Sequence, residues 1–195
     1  MVKIPKIIKN IEENIFNSAL KLFGENGYEK VDMKMISREV GIAVGTLYNY
    51  YTNKKDLYSN VFINSWRKTF LKLDCILENQ LNIENKTKLF ICTLYDDISE
   101  RKGLGVELSR VIKDFSDEEM VKINEVREGI HNRIGLILQG CRERDDMYID
   151  NNMKARLIDS ILAAITSTIR NYPEQRDENI KFISRLMNFR EVFEK

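Results

Sequence analysis

The sequence predicts an all-helical fold of about nine helices, and three observations carry that expectation. Apolar residues recur at steps of three and four through most of the chain, the spacing of one helical face. Two prolines, Pro5 and Pro173, are the only ones in 195 residues. A charged fraction of 31% beside 43% hydrophobic residues suits long amphipathic helices better than sheets. A chain of this length buries roughly 70% of its unfolded surface, so it needs no disulfide or metal staple.

From Ile8 to Phe23 the residues Ile11, Ile15, Ala19 and Phe23 draw one apolar stripe, stopped at Asn26 and Gly27. Asp32 is placed to cap a second helix carrying Met33, Ile36 and Val40, which ends at Gly41. A third helix is expected over 44–51. Asn53 caps a long fourth, with Leu57, Val61, Trp66, Phe70, Leu73 and Leu77 on its apolar side. After a polar break at 82–85, Leu89 to Ile98 mark a fifth, and Leu104 to Phe115 a shorter sixth. Ser116, followed by three acidic residues, opens the next, in which Ile123, Val126, Ile130, Ile134 and Ile137 keep the period. Gly129, Gly135 and Gly140 lie inside that helix. Each costs about 1 kcal/mol relative to alanine, so close packing or a nearby ligand must compensate. Two helices finish the chain, Met153 to about Tyr172 and Asp177 to about Phe193, separated by Pro173.

Composition excludes several classes. No stretch reaches the ~18 apolar residues of a membrane span, so a soluble, cytoplasmic protein is expected. Cys75, Cys92 and Cys141 stand at spacings that match no zinc or redox motif. His131 is the single histidine, without a second histidine or cysteine at ligand spacing. No catalytic cluster, metal site or cofactor is therefore expected. Residues 1–58 hold nine Lys and Arg against seven Asp and Glu, and the remainder holds twenty-two against twenty-three, a weak basic bias at the N-terminus.

Residues 32–51 have the arrangement of a helix-turn-helix. Ile36 and Val40 bury one helix, the small Ser37 lets the second cross closely, Gly41 turns the chain, and Ile42, Leu47 and Tyr51 fill the corner. Such a corner projects its second helix outward, and a helix fits the roughly 12 Å major groove of B-DNA. The candidate DNA-facing residues are Ser37, Val44, Gly45, Thr46, Tyr48, Asn49, Tyr50 and Lys54. Lys3, Lys6 and Lys9 could add an arm along the backbone or simply be solvated.

The pattern Ala19, Leu20, Phe23, Gly27, Tyr28, Ile36, Gly41, Ile42, Gly45, Thr46, Leu47, Tyr48, Tyr51, Lys54 and Leu57 resembles the tetracycline-repressor (TetR) family. The resemblance covers about the first sixty residues. It implies a DNA-binding domain over 1–53 and a helical effector-binding and dimerisation domain over 54–195. It further implies a homodimer on a pseudo-palindromic operator in double-stranded DNA, released by a small-molecule effector. Lys54 would then hold a phosphate at the start of the fourth helix. Candidate pocket residues are Trp66, Phe70, Cys92, Tyr95, Phe115 and Ile134, and candidate interface residues Leu157, Ile161, Ala164, Ile165, Phe182, Leu186 and Phe189. Ala43 and Asp32 depart from the family, which often has serine at the former and serine or threonine at the latter. The alternatives are a helical interaction protein with a decayed reading head and, furthest from the pattern, an all-helical enzyme.

Overall fold

The computed structural model describes residues 10–105, 115–145 and 150–187. Among them are eight α-helices: α1 Ile11–Asn26, α2 Met33–Val40, α3 Val44–Tyr48, α4 Lys54–Glu78, α5 Ile83–Glu100, α6 Asp117–Asp145, α7 Asn151–Asn171 and α8 Arg176–Met187. The all-α expectation holds. Most of the helix expected at 104–115, the lysines at 3, 6 and 9, and Phe189 and Phe193 lie outside the described residues.

The helix boundaries follow their caps. α1 starts three residues later than expected, after Asn10 in a left-handed conformation (φ 61°), and closes where the Gly27 N–H donates to the Phe23 carbonyl. α2 is capped by the Asp32 carboxylate, which accepts from the Met35 N–H at 2.7 Å. α3 is shorter than expected. Past Tyr48 the N–H groups of Asn49 and Tyr50 bond three residues back, to Thr46 and Leu47, and the helix tightens into a turn. Asn53 caps α4 through the Asp56 N–H, while Asp56 reaches back to the Thr52 N–H. α5 starts at Ile83, earlier than expected, because Asn82 caps it through the Asn85 N–H at 2.9 Å. The polar break at 82–85 is a helix start. Ser116 and Glu119 form a reciprocal capping box on α6, and Asp150 caps α7.

Contacts group the chain into two compact units, Met1–Asn64 with Arg101–Glu119, and Ser65–Glu100 with Met120–Lys195. Helix α4 supplies residues to both. In the first unit α2 packs against α1 and α3, and the core comprises Ile15, Ala19, Phe23, Val31, Ile36, Leu47, Leu57 and Tyr58, each at most 2% exposed. Phe23, Tyr28 and Tyr58 form an aromatic cluster with centroids 5.0 to 6.0 Å apart. The Tyr58 hydroxyl at its centre donates to the Leu104 carbonyl. Residues 101–105 thereby join the first unit, and Lys102 pairs with Glu25 at 2.6 Å.

In the second unit α5 packs against α7 and α8, which also pack against each other. Two glycines of α6, Gly129 and Gly140, stand at close packing, while Gly135 faces the movable end of a lysine. A Cβ on Gly129 would lie 2.8 Å from the Phe70 ring, on Gly135 2.6 Å from Lys154 Cε, and on Gly140 2.5 Å from Ile83 Cδ1. The Phe70 ring packs on this face of α6, with the Arg133 guanidinium 4.0 Å from its centroid and the Trp66 ring at 5.8 Å. The same guanidinium grips both carboxylate oxygens of Asp74, at 2.8 and 2.6 Å.

Candidate nucleic-acid interface and effector unit

The corner between α2 and α3 is built from backbone bonds around one glycine. Gly41 adopts φ 80°, a region where a Cβ is penalised, and its N–H donates to the carbonyls of Ser37 and Arg38. The Ile42 N–H returns to the Ser37 carbonyl at 2.9 Å. Ser37 is therefore a corner residue: it is 5% exposed, and its hydroxyl donates to the Lys34 carbonyl. That burial removes it from the DNA-facing set and leaves it the role its small size predicts, letting the second helix cross closely. α3 starts on Ala43, whose carbonyl accepts from Thr46 and Leu47 but whose side chain offers no cap.

Around this corner the other sequence candidates separate cleanly. Leu47 is fully buried and anchors α3. Tyr48 and Tyr50 are 50% and 41% exposed, and Asn49 and Gly45 are exposed with them. Val44 and Thr46 are half-buried. A side chain at Gly45 would meet nothing within 4 Å, so no neighbour inside the protein demands its smallness. Behind this face, burial pushes the Tyr51 phenol up, with Glu12 and Asp56 adding to the shift. Lys54 is docked: its Nζ donates to the Tyr28 carbonyl at 3.0 Å and lies 4.1 Å from the Tyr28 ring centroid. One of its three hydrogens is thus committed, leaving two for another acceptor. Next to it, Lys55 approaches Glu119 at 3.4 Å and lies 5.7 Å from the Phe115 ring. The Ser116 backbone N–H, its hydroxyl and then Lys55 hold the Glu119 carboxyl below its usual range, against a smaller opposing effect of burial.

The effector candidates are not gathered around one cavity, although the Trp66 and Phe70 rings meet at 5.8 Å between centroids. Trp66, Tyr95 and Ile134 are core residues, 7%, 2% and 1% exposed. The Tyr95 hydroxyl accepts from Asn179 Nδ2 at 2.8 Å, Phe70 lies under Arg133, and Phe115 belongs to the first unit. Cys92 alone of the six lines a cleft, of about 620 Å³, between α5, α6 and α8. Sequence reasoning missed the polar joints of this unit. Asp97 is 8% exposed and accepts from Thr69 and Lys72, both at 2.7 Å. Arg176 grips Asp96 with two bonds of 2.7 Å and Asp177 with one of 2.9 Å. These carboxylates, Asp96 foremost, raise the Arg176 guanidinium further above its ordinary range. His131 meets Asp159 at 3.0 Å.

Two interface candidates also need correction. Ile161 and Ile165 are 3% and 0% exposed within one chain, because their row on α7 faces the unit's own core. A partner has no access to them. Leu157 and Ala164 are half-buried, while Phe182 and Leu186 on α8 are 47% and 38% exposed.

Residues 15–61, which span most of α1, the corner, α3 and the start of α4, match the family model for bacterial regulatory proteins, tetR family. Over these residues the chain carries the pattern of the tetR family of bacterial regulatory proteins. Over longer stretches the chain is only distantly similar to curated relatives. It is 23% identical over 129 residues, 66% of each chain and so just under two thirds, to the fatty acid metabolism regulator protein of Bacillus subtilis. Against the biofilm operon icaADBC negative transcriptional regulator IcaR of Staphylococcus epidermidis it is 26% identical over 127 residues, 64% of this chain and 67% of that one. A crystal structure of the regulator FadR from Bacillus subtilis, in complex with stearoyl-CoA, superposes with a TM-score of 0.72 over 91% of this chain and 96% of that one, at 19% identity. That likeness shows a shared fold over nearly the whole chain.

Proposed function

We propose that the protein is a dimeric regulator of transcription that reads a pseudo-palindromic operator with α3 and is released from it by a small-molecule effector. One observation carries the reading: Tyr48 at the end of α3 and Asn49 and Tyr50 in the turn after it stand exposed, while Leu47 beside them is fully buried in the corner. A rigid corner presenting polar and aromatic groups outward is what reading base edges in the major groove requires. The match over 15–61 supports it independently. In this reading the DNA-facing set is Val44, Gly45, Thr46, Tyr48, Asn49 and Tyr50, with Lys54 offering its remaining hydrogens to a phosphate.

Repression is the sense of regulation proposed, since the IcaR relative is named a negative regulator. The relative named a fatty acid metabolism regulator and the stearoyl-CoA held in the FadR structure make an acyl-CoA the first effector to try. Dimerisation is assigned to the exposed row of α8, Phe182 and Leu186, since an apolar row left exposed among the described residues suits a second copy. An effector that binds the DNA-incompetent arrangement more tightly shifts the population off the operator, and the coupling is reciprocal.

The test is an electrophoretic shift against duplexes selected from a random library, repeated over a range of salt. The reading expects a selected site bound tightly with a steep negative salt slope. An acyl-CoA or another effector that raises the melting temperature should lower operator affinity in the same preparation. Binding no stronger than to unselected duplex would overturn it.

A further inference from the structure

The cleft between α5, α6 and α8 lies wholly within the second unit, and its volume of about 620 Å³ is in the range that holds drug-sized ligands. Its floor is soft and apolar, formed by Cys92, Cys141, Ile180 and Met187. Two hydroxyls on its walls have already committed their hydrogens. Thr87 donates to the Ile83 carbonyl at 2.7 Å and Ser184 to the Ile180 carbonyl at 2.8 Å. The Thr87 oxygen is then the acceptor in its 3.4 Å contact with Cys141, whose thiol is the donor. Cys141 is 4% exposed and so engaged, whereas Cys92 is half-buried.

The charges of the cleft are unevenly committed. Arg176 is shared between Asp96 and Asp177, so Asp177, one turn before Lys181 on α8, is occupied. Lys88 on α5 and Lys181 on α8 are exposed and make no ion pair with any described residue. Glu84, one turn before Lys88, is the carboxylate left over. Two available ammonium groups on facing elements, above an apolar floor, complement a ligand that is apolar at one end and negative at the other.

We propose that this cleft binds an amphipathic carboxylate, its apolar body on Cys92, Ile180 and Met187 and its anionic group between Lys88 and Lys181. The proposal rests on the reading of the second unit as effector-binding, and it names the place and the ligand chemistry.

Cys92 supplies a readout that needs no DNA. In the full chain carrying Cys75→Ser, which removes the exposed thiol, N-ethylmaleimide alkylation of Cys92 is followed by peptide mass mapping. The probes are 2-naphthoate, the neutral 2-naphthylmethanol and the cationic 2-naphthylmethylamine. Naphthoate is expected to slow alkylation in a saturable way, and the alcohol and amine to do so about tenfold less effectively, the loss of one charge-assisted contact. Lys88→Ala with Lys181→Ala should weaken naphthoate protection by about tenfold or more. Glu84→Gln, which should fold like the parent, is expected to strengthen it. Equal protection by the alcohol, better protection by the amine, or undiminished protection in the lysine variant would overturn the site. So would weaker protection in Glu84→Gln. Protection that leaves operator affinity unchanged would instead overturn the effector reading alone.

Discussion

Replacing Gly129 by alanine sets two opposed effects against each other at one position. Alanine is worth about 1 kcal/mol more than glycine inside a helix, so propensity alone predicts stabilisation. The added Cβ, however, would lie 2.8 Å from two atoms of the Phe70 ring. That ring has little freedom to retreat, since Arg133 covers it at 4.0 Å while gripping Asp74. Overpacking against a fixed neighbour costs about 1–3 kcal/mol, leaving a net destabilisation of about 1 kcal/mol, or ~2–4 °C in melting temperature for a chain of this size. Gly135 is the internal control. There the clash is with Cε and Nζ of Lys154, the far end of a flexible side chain that swings aside cheaply. Gly135→Ala should therefore be neutral or stabilising by a few tenths of a kcal/mol. Urea unfolding of both variants beside the parent reads the two signs directly. If Gly129→Ala stabilises as much as Gly135→Ala, the close approach of Phe70 does not explain that glycine.

Three further outcomes follow from the same structure. Leu186→Glu should leave the monomer folded and raise the concentration at which dimers form, as read by sedimentation, whereas Ile161→Glu places a charge in the chain's own core and should cost several kcal/mol of stability; equal behaviour of the two would contradict the assignment of faces. Because the Glu119 carboxyl is held below its ordinary value in the folded state, its contribution is present above the unfolded carboxylate range and is lost as pH falls through the lowered value. Glu119→Gln should accordingly flatten the acid limb of a stability-against-pH curve, and an unchanged limb would remove the capping box from the account. Lys54→Ala should reduce binding to all duplexes and flatten the salt slope by roughly 0.9 per half-site; its docking on Tyr28 also predicts lower stability of the first unit, so intact folding is checked by circular dichroism.

The parts of the fold legible in the sequence were those encoded by short-range chemistry. Asp32, Gly41 and Asn53 mark helix ends because a cap or a left-handed turn is a local event, and each stands where local rules put it. Asn82 obeys the same rule, but its polar neighbourhood looks identical to a loop until the Asn85 N–H is seen to donate to it. The period of α7 revealed apolar rows without saying which row faces the chain's own core. Ile161 and Ile165 were therefore assigned to a partner although the single chain buries them. Long-range pairings left no trace in spacing. The forks from Arg133 to Asp74 and from Arg176 to Asp96 join residues 59 and 80 positions apart. Residues 101–105 are tied to α1 and α4 by the Lys102 to Glu25 pair and the Tyr58 to Leu104 bond, across 77 and 46 positions. The cleft was invisible for the same reason, since its walls come from α5, α6 and α8.

The central claim, that the exposed end of α3 reads DNA, is tested most directly by selecting bound duplexes with the parent and with Tyr48→Ala and Asn49→Ala. The account predicts a pseudo-palindromic site for the parent, with half-sites about 34–36 Å apart or somewhat more if the duplex deforms. Each variant should retain binding while losing base preference at one position per half-site, at a cost of about 1–3 kcal/mol in discrimination. Variants that select the same site with the same stringency as the parent, or a parent that selects no site, would contradict it.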